Sequence, residues 1–288
     1  MDGYAGPRIG VALGGGSARG LTHIPFIEAM DELGLAPSVI AGTSIGALIG
    51  SGWAAGMPGR AIREHALEVL GSMRSISGRL WRTQMRNWRS LFRDGVSMQL
   101  DATSIVEAFL PPDFPLEFAA LKIPFFIVAT DFQSWHQVVF HTGPLKEAIA
   151  GSIAIPSLFR PVNFGNHMLV DGGVVNPLPL DIAAPGTDLL IGIDVNGDPL
   201  HRAYAKGGPS ALDVGLGSAQ IMMHALIAHN IAAFPPDVYF RPPVQGIGAY
   251  EFWRVREILE TGDKEKDRFK RAVAAKVDAF IAGRQKKP

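Results

Sequence analysis

The chain opens with short apolar runs that alternate with segments of helical apolar spacing. Arg8–Leu13 (RIGVAL) is a β-type run that stops at Gly14-Gly15-Gly16. Leu21–Leu33 then sets Ile24, Ile27, Met30 and Leu33 on one helical face, with Gly34 as the stop. Ser38–Ala41 is a second apolar run, followed at once by Gly42-Thr43-Ser44-Ile45-Gly46. Ala47–Ala55 is rich in small residues, as expected for a helix packed tightly on a sheet. This strand–helix–strand–helix alternation predicts an α/β fold with parallel strands. Further strands are expected at Pro124–Thr130, Gln137–His141, Met168–Val170 and Asp188–Val195. Further helices are expected at Ala61–Leu70, Thr103–Phe109, Leu145–Ala150, Gly217–Ala232 and Glu265–Ala282.

The 288 residues contain no Ser/Pro tract, low-complexity run or repeat. One domain over residues 1–288 is therefore expected, with a helical C-terminal extension from about residue 210. Hydrophobic residues make up 47% and charged residues 19%, which supports a sizeable core rather than disorder. Lys+Arg and Asp+Glu are both 27, so net charge gives no general pull toward nucleic acid. With no Cys there is no disulfide framework, thiolate metal site or cysteine nucleophile, which fits the cytoplasm. MDGYAGPRIG lacks a charged n-region followed by an apolar stretch, so no secretory signal is expected. The uncharged segment Pro37–Gly59 is about as long as a membrane span. Its Thr43, Ser44, Ser51, six glycines and two prolines instead read as buried strand, turn and helix.

Residues Arg74 to Arg93 carry six arginines and no acid, interleaved with Leu80, Trp81, Met85, Trp88, Leu91 and Phe92. Cationic heads beside Trp and Leu suit peripheral contact with a membrane interface. An arginine-rich surface helix with Trp and Leu turned inward explains the same residues.

Gly42-Thr43-Ser44-Ile45-Gly46 fits G-x-S-x-G between an apolar run and a helix-compatible stretch. A sharp strand-to-helix turn of this kind projects the Ser, and the glycines remove Cβ atoms that would clash. The following helix N-terminus favours negative charge near Ser44. Gly14-Gly15-Gly16-Ser17-Ala18-Arg19-Gly20 lies between the first strand and first helix. Such a loop serves either a dinucleotide pyrophosphate or an oxyanion. A dinucleotide site expects an acid at the end of the second strand, where this chain has Gly42-Thr43-Ser44. Adjacent parallel strands would set the loop beside Ser44, so an oxyanion hole accounts for both motifs together.

Ser44 comes too early for the usual Ser–acid–His order of α/β-hydrolases. None of the histidines at 23, 65, 136, 141, 167, 201, 224 and 229 lies in a glycine-flanked catalytic context. His224 and His229 read as packing or surface residues, and His23 as holding a local hydrogen bond. Asp171, followed by Gly172-Gly173, ends an apolar strand. A carboxylate there can take the Ser44 proton directly if held within about 2.6–3.2 Å. An Asp that merely caps a Gly-Gly turn explains the same residues. No EF-hand loop or His-x-x-x-His pattern is present, and no metal or other cofactor is expected.

LGGGSARGLTHI, then GTSIG, then Asp171-Gly172-Gly173 resembles the three ordered signatures of the patatin-like phospholipase family. Ile155-Pro156, Phe159-Arg160-Pro161-Val162, Asn176-Pro177 and Pro179 are further matches, and the resemblance covers about residues 8–200. It implies a three-layer α/β/α fold with a mostly parallel sheet, and lipid or lysophospholipid acyl-ester hydrolysis by a Ser44–Asp171 dyad. It further implies an oxyanion hole at Gly14, Gly15, Gly16 and Ser17, with Arg19, Gly20, Gly42, Gly46, Gly172 and Gly173 in support. Ser17 stands where many members of the family have another glycine. A non-catalytic lipid-binding or scaffold protein, an acyltransferase and a dinucleotide-binding oxidoreductase are the competing readings.

Overall fold

The apolar runs lie at the centre of one sheet. The computed structural model describes residues 6–76, 99–197, 208 and 211–285, with side chains described for all but 72–76, 211–213 and 216. Its strands are β1 (Ile9–Leu13), β2 (Val39–Thr43), β3 (Phe125–Asp131), β4 (His136–Phe140), β5 (Val162–Phe164), β6 (His167–Asp171), β7 (Leu189–Ile193) and β8 (Val238–Phe240). The order is β5-β6-β3-β2-β1-β7-β8, with β4 also on β3. From β3 through β8 every pairing along this path is parallel. β4 and β6 run antiparallel to β3, and β5 antiparallel to β6.

β1 and β7 are buried at every position, as parallel strands are when both faces are covered. Ile9, Val11 and Leu13 face the larger core, while Ala12 joins a second cluster with Leu178, Leu180, Ala183, Leu190 and Ile227. The helices are α1 (His23–Glu32), α2 (Ile45–Ala54), α3 (Gly59–Ile76), α4 (Ala102–Phe109), α5 (Leu145–Ser152), α6 (Leu180–Ala183), α7 (Ala211–Ala233) and α8 (Val255–Gln285). α1 and α8 cover one face, where Phe26, Phe240 and Phe269 meet with ring centroids 5.0–5.2 Å apart. Each such pair adds about 0.5–1.5 kcal/mol beyond the burial of its area. Arg63 of α3 bonds both Glu28 of α1 and Asp263 of α8, so the three helices share one ionic seam. α6 and Ile227 of α7 cover the opposite face through the second cluster. The helices thus lie in layers on both sides of a mostly parallel sheet.

Elements differ from the sequence reading where local signals conflict. A 3-10 turn over Ser17–Thr22 precedes α1, which therefore starts at His23 rather than Leu21. α7 and α8 both start several residues before their expected first turns. Gly215, Gly217 and Gly262 weaken the helical pattern there, and Gly262 is used to let α8 close onto Pro25. β5, β8 and α6 were not legible, because three or four residues carry no period. Of the arginine-rich stretch, residues 74–76 form the last turn of α3. The rest, through Arg93, lies outside the described residues. No described helix is long and apolar enough to cross a membrane.

Candidate active site

Two of the three sequence motifs meet at one edge of β3. Thr43 of β2 pairs with Val128. β4 occupies the opposite edge of β3 along Ile127–Asp131, so β6 takes over the edge where β2 stops. Asp171 of β6 then pairs with Ala129, one position beyond Val128. The residue after Thr43 and the last residue of β6 are therefore neighbours. Ser44 Oγ donates to Asp171 Oδ2 at 2.6 Å, and both side chains are buried.

Ser44 has φ 55 and ψ −123, a conformation that L-residues rarely adopt. The turn is closed by the Ala47 and Leu48 N–H groups, which donate to the Ser44 carbonyl. The Ser44 N–H donates to Ser152 Oγ, whose hydroxyl donates to the Val128 carbonyl. A Cβ at Gly46 would lie 2.1 Å from the Leu13 carbonyl, so only glycine lets α2 begin this close to β1. At Gly172 it would lie 2.2 Å from the Val128 carbonyl, which fixes how tightly the Asp171 turn meets β3. Gly20 and Gly42 pack as closely, against Ile45 and the start of α2.

Asp171 accepts a second bond from Gly173 N–H at 2.7 Å, and Thr130 Oγ1 donates to its carbonyl. Burial pushes its carboxyl up to about 6, opposed by the bonds from Ser44 and Gly173. A carboxylate raised toward neutrality is a stronger base than a free Asp, whose value is 3.8.

The glycine loop lies alongside, as the β1–β2 pairing requires, with Gly15 packed against Ser44. Its first two amides are committed: Gly14 N–H donates to the Ile193 carbonyl and Gly15 N–H to the Pro177 carbonyl. This narrows the expected set of oxyanion donors. Gly16 and Ser17 are the loop amides with no acceptor among the described residues, while Ala18 N–H donates to the Ala249 carbonyl. Ser17 has φ 55, a backbone conformation that favours glycine. Arg19 is buried. Its guanidinium donates to the carbonyls of Ile247, at 2.9 Å, and Asn196, which ties the loop to two remote segments.

Sequence reading missed three features here. Ser152 lies two residues beyond the expected helix Leu145–Ala150 and carried no signal, yet it accepts from the Ser44 amide. The segment 247–250 lies over the loop, and burial, with the Asp171 charge adding, pushes the Tyr250 hydroxyl up to about 12. His23 reaches back to the Gly14 carbonyl rather than to its own helix. No local pattern marks any of these, because each partner is set by the sheet. The described residues contain no cluster of three or more His, Asp or Glu that could hold a metal.

The patatin-like phospholipase family model matches residues 11–184, and the chain belongs to that family. An uncharacterized NTE family protein of Mycobacterium tuberculosis is 36% identical over 200 residues, covering 68% of this chain and 51% of that protein. The lysophospholipase NTE1 of Yarrowia lipolytica is 26% identical over 92% of this chain and 19% of its own length. The chain thus spans about half, or less, of these relatives. Among solved structures, VipD from Legionella pneumophila is similar over 93% of this chain and 67% of its own, with 12% identity and a TM-score of 0.48.

Proposed function

We propose that this chain hydrolyses fatty-acyl esters of phospholipids or lysophospholipids, with Ser44 as nucleophile and Asp171 as its only base. The observation that carries this reading is the 2.6 Å bond between Ser44 Oγ and Asp171 Oδ2 at the head of α2, in a chain of this family. Asp171 takes the Ser44 proton as Oγ attacks the ester carbonyl carbon. The Gly16 and Ser17 N–H groups receive the oxyanion, and each such donor is worth about 10²–10³ in rate. Collapse expels the alcohol, which leaves with the proton held by Asp171. Water, deprotonated by Asp171, then attacks the acyl-Ser44 ester. The fatty acid departs and the proton returns to Ser44.

The surroundings favour a lipid over a water-soluble ester. Met223 of α7 packs beside Gly173, next to the base. Residues 214–236 carry no Asp, Glu, Lys or Arg, and Ile221 and Met222 are 70% and 60% exposed. A helical stretch without these charges and with large apolar side chains in water, at the margin of the site, suits acyl chains or the surface that holds them. We read residues 1–288 as one unit, since Phe269 of α8 shares the core with Phe26 of α1.

Mass spectrometry after fluorophosphonate treatment tests the nucleophile. A single adduct on Ser44, with release of fatty acid from a lysophospholipid that Ser44→Ala reduces at least about 10³-fold, is expected. An unlabelled Ser44 in a folded, inactive chain would refute the reading in favour of a non-catalytic lipid binder.

A further inference from the structure

We propose that His23 is a positioning residue that aims the oxyanion donors of the glycine loop, an inference that rests on the acyl-transfer reading above. His23 is the first residue of α1 and is fully buried. Its Nε2 lies 2.9 Å from the Gly14 carbonyl oxygen. A carbonyl only accepts, so Nε2 carries the proton and Nδ1 presents a bare lone pair. That Nδ1 is buried and has no hydrogen-bond partner among the described residues. Burial also holds the ring neutral, its pKa lowered to about 4, so no charge accompanies the donated bond. A buried imidazole with one unmet nitrogen is a poor way to fill a core. It is a good way to place one N–H donor at a fixed carbonyl.

What that carbonyl controls follows from peptide planarity. The Gly14 C=O and the Gly15 N–H belong to one rigid plane. His23 holds its oxygen, and the Pro177 carbonyl holds its N–H at 2.9 Å. No other donor among the described residues reaches the Gly14 oxygen. On its far side stands Gly46, whose added Cβ would come within 2.9 Å of that oxygen. With the plane tied at both ends, the next two peptides start from a set direction. Those are the peptides whose amides, Gly16 and Ser17, have no acceptor among the described residues. Three successive glycines have no side chains to restrict them, so an outside anchor must supply this restriction.

The test compares His23→Leu with His23→Gln for kcat, KM and melting temperature on one lysophospholipid. Gln places an amide N–H where Nε2 stood; Leu keeps the volume and loses the donor. His23→Leu is expected to lower kcat about 10- to 100-fold with KM within about twofold, and His23→Gln to recover most of it. Should the Leu variant fail to fold, His23→Asn replaces it, since its amide stops short of the Gly14 oxygen. Activity that follows melting temperature alone, or Leu and Gln variants equally slow, overturns the proposal. So does a His23→Leu kcat within threefold of the parent. A parent chain that releases no fatty acid defeats the acyl-transfer reading itself, and is told apart because its own turnover is then absent.

Discussion

The turns that follow β1 and β2 lie side by side, and each places a serine at φ 55, yet they are held in opposite ways. The Ser44 turn is closed mostly by its own residues: Ala47 and Leu48 donate to the Ser44 carbonyl, and α2 continues from it. The glycine loop closes on itself only in the 3-10 turn that starts at Ser17. It is held by the carbonyls of Pro177, Ile193, Asn196, Ile247 and Ala249, all far away in the chain. Strain at Ser44, the proposed nucleophile, is thus stored in a local turn between strand and helix. Placement of the Gly16 and Ser17 amides, the proposed oxyanion donors, is left to groups outside the loop, most of them from the second half of the chain. A defect in the first should abolish chemistry without loosening the fold, whereas a defect in the second should do some of each.

The largest separation of activity from stability is expected at Asp171. Asp171→Asn should lower kcat by about 10²–10⁴-fold, because Asn cannot take the Ser44 proton. The same change should raise the melting temperature at pH 8. The carboxyl is raised from 3.8 to about 6 in the folded protein, so the folded state binds the extra proton between those values. Its charge therefore costs stability increasingly as pH rises through that window, by about 3 kcal/mol at most above it. In the parent, kcat should fall about tenfold per pH unit below about 6. A pH-independent rate between 4 and 7 would remove Asp171 as the base.

An intermediate effect is expected at Arg19. Arg19→Met leaves the buried Ile247 carbonyl without its donor, at about 1–3 kcal/mol, while the Asn196 carbonyl keeps the bond from Gln220 Nε2. Thermal melts should show that loss, and steady-state kinetics a kcat lowered about 10-fold with KM little changed. A destabilised variant with parental kcat would show that the remote ties serve only folding. The smallest effect is expected at Ser17. Ser17→Gly should stabilise the fold by about 1 kcal/mol or less, by relieving the left-handed backbone, with kcat within twofold. A loss of stability in chemical denaturation would mean that the Ser17 side chain does more there than the described bonds record.

The same contrast explains what could be read in the chain. β1, β2 and β7 are short apolar runs, followed after β1 by helical spacing and after β2 by small residues, so the alternating α/β pattern was legible. Ser44 was legible because a strained turn needs glycines at fixed offsets beside it, a purely local demand. Asp171 was visible as a candidate, but an Asp that only caps a Gly-Gly turn has the same neighbours. Which loop amides are available could not be read at all. Gly14 and Gly15 look as free as Gly16 until the Ile193 and Pro177 carbonyls arrive opposite them.

What the amino-acid order determined by itself was every feature set within a few residues: apolar period, helix stops, the sharp turn at Ser44 and the absence of cysteine chemistry. Only the tertiary structure decided the meeting of Ser44 with Asp171, through the shared edge of β3, where β2 ends and β6 begins. It alone decided that His23 would face the glycine loop, that Arg19 would tie it to remote carbonyls, and that the Gly16 and Ser17 amides would meet no acceptor among the described residues. The physical reason is range. Backbone sterics and helical period act between near neighbours, whereas hydrogen-bond partners and burial are assigned by strand order, which brings together residues that no local pattern connects.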